Sequence, residues 1–327
     1  MNSSLAKRAV GVTLAAAVLQ LLMIIAFSWP AVRTAPNDVP IVTAGPQAAA
    51  VAERLDRQRP GAFAAAAVAD EAAARAALAD REAYGAIVTT PAGPRVLVAS
   101  AASPAVAQQL TQLGVQLAGA PAGGAVQDVV AADPDDPRGA GFGALALPLI
   151  MSSLAAAVLL TFALPRLGAR AAALVAFAIL GGLAVTWLAQ GWLSVLPGSY
   201  PAVAAVMALT ILAVSGTVTG LAAVLGRAGI GLGALTLLLL GNPLSGATSA
   251  PELLPQPWGD LGQLLPPGAA ATLLRSVAFF DGAGAGGALT VLLAWAAAGL
   301  LLLGAGALRG RRGEAPAAAE REPAMAS

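Results

Sequence analysis

The most patterned residues in the chain lie between positions 242 and 280. Asn242-Pro243-Leu244-Ser245-Gly246 is followed by Pro251, by Leu254-Pro255, by Gly262 and by Leu265-Pro266-Pro267-Gly268-Ala269. Arg275 and the pair Phe279-Phe280 close the run. Proline fixes φ and suits a helix's first turn, and glycine reaches left-handed backbone, so this pattern sets turns and helix starts and supplies no nucleophile. Arg275 is the only cation of the run. It can meet an anionic group or snorkel toward water. Two roles are open: a turn scaffold closing the outer side of a helix bundle, which is the expected one, or direct substrate contact.

Other chemistry is largely excluded by composition. The chain has no His and no Cys. Zinc motifs, disulfides, thiolate catalysis and a Ser-His-Asp triad are therefore closed to it. Lys7 is the only lysine, so no Gly-rich phosphate loop with its Lys-Ser/Thr ending exists. Asp70-Glu71 and Asp80 with Glu82 read as surface charge on alanine-rich helices. Asp133, Asp135 and Asp136 present oxygen ligands of the kind calcium uses, but the prolines among them favour a stiff, solvated lead into the next segment. No catalytic residue, metal site or bound cofactor is expected. A net charge of +1 without a basic stripe gives no sign of nucleic-acid binding.

What must position the patterned run is a membrane bundle. The chain is 58% hydrophobic and 11% charged, against about 25% charged in soluble domains. A hydrocarbon core of ~30 Å takes about 20 residues of helix. Six spans are expected: 9–29, 142–164, 171–193, 200–225, a fifth beginning near 228, and 286–308. The first follows Lys7-Arg8 and ends in Trp29-Pro30 without a small-residue cleavage site, so it reads as a retained span. The fifth is short: residues 228–240 cover about 20 Å before Gly241-Asn242-Pro243 interrupts them. Broken backbone at membrane depth is tolerated where protein or a wet cavity surrounds it. Two re-entrant or interfacial helices, 244–254 and 269–280, are therefore expected within 241–285. Gly216 and Gly220 form a small-residue face on the fourth span, expected to pack internally, with a dimer seam as the alternative.

Lys7, Arg8, Arg166, Arg170, Arg227, Arg309, Arg311 and Arg312 collect at alternate span ends. By the positive-inside rule both termini are cytoplasmic and the segment between spans one and two is outside. That segment, 31–141, alternates strand-like pieces (39–43, 63–69, 84–89, 95–99) with helical ones. Pro46 is expected to open a helix to 59, Asp70 to cap 71–80, and Ser103-Pro104 to open 105–118. The order β-α-β-α-β-β-α implies a small α/β domain. Residues 119–141 read as a linker and 310–327 as a disordered cytoplasmic tail. The fold class is thus an α-helical membrane protein, with residues 1–30 carrying the first span, 31–141 an extracytoplasmic α/β domain and 142–309 a five-helix bundle. Heavy Ala and Gly use with a single lysine points to a bacterial source, hence a multi-pass protein of a bacterial cytoplasmic membrane.

The run from 242 to 280 resembles the segment before the last span in permeases of the type-2 ABC exporter superfamily, in the phage-infection-protein-like branch. The resemblance rests on Asn242–Gly246, Leu254-Pro255, Leu265–Ala269, Arg275 and Phe279-Phe280. The helix at 70–78 and the strands at 84–89 and 96–100 are also similar to that branch. The resemblance implies a homodimer or paired permease in contact with membrane lipids, with ATP hydrolysed by a separate cytoplasmic ATPase and not by this chain. It implies a gate built from Asn242, Pro243, Ser245, Gly246, Pro255, Pro266, Gly268 and Arg275, and a coupling loop containing Arg166 and Arg170. Substrates of such exporters are amphipathic. A reading of another class is a non-transporting receptor or scaffold whose outer domain binds a cell-envelope partner. The short cytoplasmic loops favour it, and the broken fifth span favours the permease.

Overall fold

The computed structural model describes residues 3–91, 93–118 and 126–319. Helix α1 (Ser3–Val32) leads into an α/β unit: β1 (Val39–Ala44), α2 (Ala48–Gln58), β2 (Phe63–Val68), α3 (Glu71–Ala79), β3 (Gly85–Thr90), β4 (Gly93–Val98), α4 (Pro104–Ala118) and β5 (Val126–Asp128). The strands form one sheet in the order β2-β1-β3-β4-β5. β1 is parallel to β2 and β3, β4 is antiparallel to β3, and β5 is parallel to β4. Alternate residues face opposite sides of a strand, so each face gathers its own core. Ile41, Ile87 and Val96 meet Leu55 of α2 and Leu110 of α4. Val42, Val88 and Leu97 meet Ala74 and Leu78 of α3. The Asp70 side chain accepts the Ala73 N–H at 2.8 Å, capping α3 as its type and position predict.

Some local boundaries differ from the sequence reading. α2 starts at Ala48 and not at Pro46, because Gly45 (φ 93) turns the chain first and the Ala48 N–H bonds to its carbonyl. The expected linker contains β5, whose three residues are too few and too polar to signal a strand in sequence. Residues 119–125 lie outside the described residues. Asp136 is buried, and its Oδ2 accepts the Phe142 N–H at 2.8 Å at the start of the next helix. Asp133 Oδ1 accepts the Asp135 N–H at 3.0 Å. Those carboxylates act as turn and helix caps, and among the described residues no acidic cluster is arranged to hold a metal.

The bundle consists of α5 (Ala140–Ala163), α6 (Leu167–Trp187, extended by a π-helical stretch Leu188–Trp192), α7 (Tyr200–Leu225), α8 (Arg227–Leu235, extended by a π-helical stretch Thr236–Gly241), α9 (Trp258–Gln263), α10 (Pro266–Phe279) and α11 (Ala285–Ala319). Among the described residues, five helical stretches are long and apolar enough to cross a membrane: Ser4–Val32, Ala140–Ala163, Leu167–Trp192, Tyr200–Leu225 and Ala285–Arg309. That is the pattern of a multi-pass membrane protein. The sixth apolar stretch, Arg227–Gly241, is shorter. At 1.5 Å per residue it covers about 22 Å.

α7 is the central helix and the most buried of the five. Its Gly216/Gly220 face packs inside the chain: a Cβ on Gly299 of α11 would stand 2.5 Å from the Gly216 carbonyl carbon. By contrast, α1 is exposed along its length and touches the bundle at its end, where Trp29 meets Trp258 edge-on at 6.4 Å. α11 continues to Ala319, and residues 320–327 of the expected tail lie outside the described residues.

Candidate functional site

The short helix α8 with its π-helical extension ends in a break at Asn242. Its last residues are π-helical, and the Asn242 N–H reaches the Leu237 carbonyl at 3.1 Å. Pro243 has no N–H to continue the ladder. Ser245 Oγ donates to the Asn242 carbonyl at 2.7 Å and accepts the Ala247 N–H at 3.3 Å. Gly246 then takes φ 66, a left-handed conformation that reverses the chain. The helix expected at 244–254 is therefore not formed. Its place is taken by turns and a single 3-10 turn at Pro251–Leu253, and the helix appears later as α9. The second expected helix, 269–280, is α10. It starts at Pro266 because Pro266 and Pro267 fit the first turn, where N–H groups lack intrahelical partners.

Arg275 of α10 holds this reversal. It is buried, its Nη2 donates to the Ala247 carbonyl at 2.6 Å, and its Nη1 donates to the Gly246 carbonyl at 3.3 Å. Its guanidinium stands 4.5 Å from the Phe142 ring centroid of α5. Gln263 adds a second tie: its Nε2 donates to the Ser245 carbonyl at 3.1 Å while its Oε1 accepts from Thr272 Oγ1 at 2.7 Å. Gly262 and Gly268 let backbones touch, since a Cβ on either would collide with the Leu244 or Gly262 carbonyl oxygen respectively. Ser245, Gly246, Gly268, Pro266 and Arg275 are thus brought into one knot. Pro255 lies further along, its carbonyl accepting the Trp258 N–H at 2.9 Å at the entry to α9. Asn242 Oδ1 is buried and finds no hydrogen-bond partner among the described residues.

The α/β unit is latched onto this knot by residues that the sequence pattern did not single out. Tyr84 Oη donates to Glu252 Oε2 at 2.8 Å. Arg81 Nη1 donates to the Thr272 carbonyl at 2.9 Å and to Ser276 Oγ at 2.5 Å, with its guanidinium 5.2 Å from the Phe280 ring centroid. The Asn37 N–H donates to the Glu252 carbonyl at 3.0 Å, and the Ala35 N–H to the Leu253 carbonyl at 3.0 Å. Ala250 and Leu253 enter one core of the sheet and Phe280 the other, so the bundle supplies part of the domain's interior. Arg81 holds φ 59, the left-handed region that a non-glycine residue adopts at a cost of about 1–3 kcal/mol when its surroundings fix it. That outlier is a signal only the structure supplies.

Between the domain and the knot lies a polar cavity of about 260 Å³, lined by Arg81, Tyr84, Glu252, Asp260, Gln263 and Arg275 among others. Burial, and then the Glu252 carboxylate, push the Tyr84 phenol well above its usual value. Burial lowers Arg81. The phenol is therefore held neutral as a donor to the carboxylate, and the arrangement is suited to fixing two bodies together with hydrogen bonds, not to proton transfer.

At the other end of the bundle, the two loop arginines have different fates. Arg166 is exposed at the start of α6. Arg170 is buried, with Nη2 donating to the Thr161 and Leu164 carbonyls at 2.8 Å each and Nε to Leu164 at 3.1 Å. Those are among the last carbonyls of α5, which lack intrahelical partners. Arg170 is a helix cap and not a free docking cation. Against known proteins, no family model, no curated protein and no solved structure matches this chain, so its function rests on its own geometry.

Proposed function

We propose that this chain is the permease subunit of an ABC-type exporter in a bacterial cytoplasmic membrane. It moves an amphipathic or envelope-related substrate, with ATP hydrolysed by a separate cytoplasmic subunit. Both termini lie in the cytoplasm and the α/β domain outside, in keeping with the basic residues at alternate span ends. The observation that carries this reading is the short helix α8, broken at Asn242 and folded back through a knot that Arg275 closes. An anchor needs an unbroken span, whereas buried irregular backbone re-entering toward a bundle suits a gate. The crevice between α5, α7 and α10 measures about 30 Å³, room for about one water. In this reading the substrate path therefore runs between two copies of the chain, or opens when the knot moves.

A receptor or scaffold is the second reading. It is favoured by Arg170, whose fork is consumed within the α5–α6 turn and leaves Arg166 as the exposed cation of that loop. One experiment separates the two: purification of the full chain from its native membrane, with identification of what accompanies it. Recovery of an ATPase whose association weakens in Arg166→Glu supports the permease. Recovery of envelope components alone, with export unaffected by Arg166→Glu, sinks it.

A further inference from the structure

The α/β domain carries a second cavity, far from the latch. Its sheet has a topological switch: β1 connects through α2 to β2 on one side, and β2 returns through α3 to β3 on the other. At the carboxyl ends of β1 and β3 the chain leaves in two directions, from β1 into α2 and from β3 through a tight hairpin into β4, and ligands of open α/β sheets bind outside strand carboxyl ends where neighbouring connections part. Here that point is a crevice of about 460 Å³ between α2 with the loop that leads into it and the β3–β4 hairpin. This falls within the range of small-molecule sites, 300–1,000 Å³.

Its walls are built and not merely left open. Gly45 (φ 93) lets the β1–α2 loop press onto Thr89, where a Cβ would stand 2.7 Å from Thr89 Oγ1. That hydroxyl accepts the Gln47 N–H at 3.3 Å and donates to the Ala44 carbonyl at 3.0 Å, tying the two strand ends together. Half-buried Val51 of α2 and the hairpin prolines Pro91 and Pro94 give the crevice its apolar surface, backed by the buried Leu55 and Ile87. Gln47, Arg54 and Gln58 rise on the α2 side, and Arg54 is the one charged side chain on the described walls. The latch residues Asn37 and Tyr84 precede β1 and β3. Six residues of strand, about 20 Å, therefore separate this crevice from the knot.

We propose that this crevice is a binding site for a small amphipathic organic anion, its apolar body on Val51, Pro91 and Pro94 and its carboxylate or comparable anionic group against Arg54 and the two glutamines. The inference does not depend on the permease reading. A domain that binds such a molecule serves a permease and a receptor alike.

The test uses the full chain in nanodiscs of zwitterionic lipid, with 4-phenylbutyrate as the probe, 4-phenylbutanol as the uncharged control and saturation-transfer-difference NMR as the readout. Arg54→Gln removes the cation from an exposed position, and Val51→Trp fills the crevice. The expected result is saturable binding of phenylbutyrate, about tenfold weaker in Arg54→Gln, since a hydrogen bond to a charged group is lost, and abolished in Val51→Trp, whose ring occupies the crevice. Phenylbutanol binds more weakly than the acid and is indifferent to Arg54→Gln. No saturable signal in the unmodified chain overturns the proposal. So does an affinity for the acid unchanged by Arg54→Gln, which remains informative if Val51→Trp fails to fold.

Discussion

Replacing Arg275 by Met probes the knot directly, because the new side chain is similar in length and carries no donor. Hydrogen bonds from a charged donor contribute about 1.5–3 kcal/mol each, and the 2.6 Å bond to Ala247 belongs near the top of that range and the 3.3 Å bond to Gly246 near the bottom. The Phe142 contact adds about 1 kcal/mol. Together these come to about 5 kcal/mol, an upper limit because contributions of one side chain's contacts are not additive. A loss of at least about 2 kcal/mol, or about thirtyfold in the opening equilibrium of the segment, is expected. Amide hydrogen exchange reads this as lost protection at Ser249, Leu253 and Leu254, whose N–H groups bond within the reversal. Arg275→Lys keeps the charge but not the planar fork, and falls between. Protection changed by less than about threefold in Arg275→Met, under conditions where exchange reports the opening equilibrium, refutes the claim that Arg275 closes the knot.

Further outcomes follow from the same geometry. Tyr84 has its folded pKa raised above the unfolded 10, so its contribution is fully present below that value and fades as pH rises through the folded one. Native protein and Tyr84→Phe should therefore show equal phenolate absorbance at about pH 11, while unfolding at that pH makes the unmodified chain the stronger absorber. Asp70→Ala removes the α3 cap and should cost about 1 kcal/mol in denaturant melts followed by strand-sensitive spectroscopy. Gly262→Ala should reduce folded yield, read as loss of the monodisperse peak in size-exclusion chromatography, because its methyl meets the Leu244 carbonyl. Arg170→Leu should raise proteolysis at the α5–α6 turn, since it strips donors from the Thr161 and Leu164 carbonyls.

Much of the architecture is legible in local signals. The apolar run at 200–225 alone predicts span four, and α7 occupies those residues. The strands at 39–43, 63–69, 84–89 and 95–99 each fall on a strand, even Phe63–Val68 with its four alanines. Asp70 caps α3 because an acceptor side chain before an apolar period needs no distant partner. Errors arose where a local signal competes with tertiary context. Gly246 and Pro251 broke a stretch read as helix, and β5 exists because β4 offers it an open edge.

The sequence by itself determined run lengths, caps, the break at Asn242 and the absence of His, Cys and phosphate-loop chemistry, because each depends on residues within a few positions of one another. Only the tertiary structure decided what the break is tied to. Tyr84 meets Glu252 across 168 positions and Arg81 meets Ser276 across 195. Arg275, which the sequence offered either to water or to an anion, instead bonds two carbonyls of a chain reversal. Those partners follow from which strand ends point at the bundle, and strand order is set by how the sheet buries both faces, a global packing outcome that no window of sequence contains.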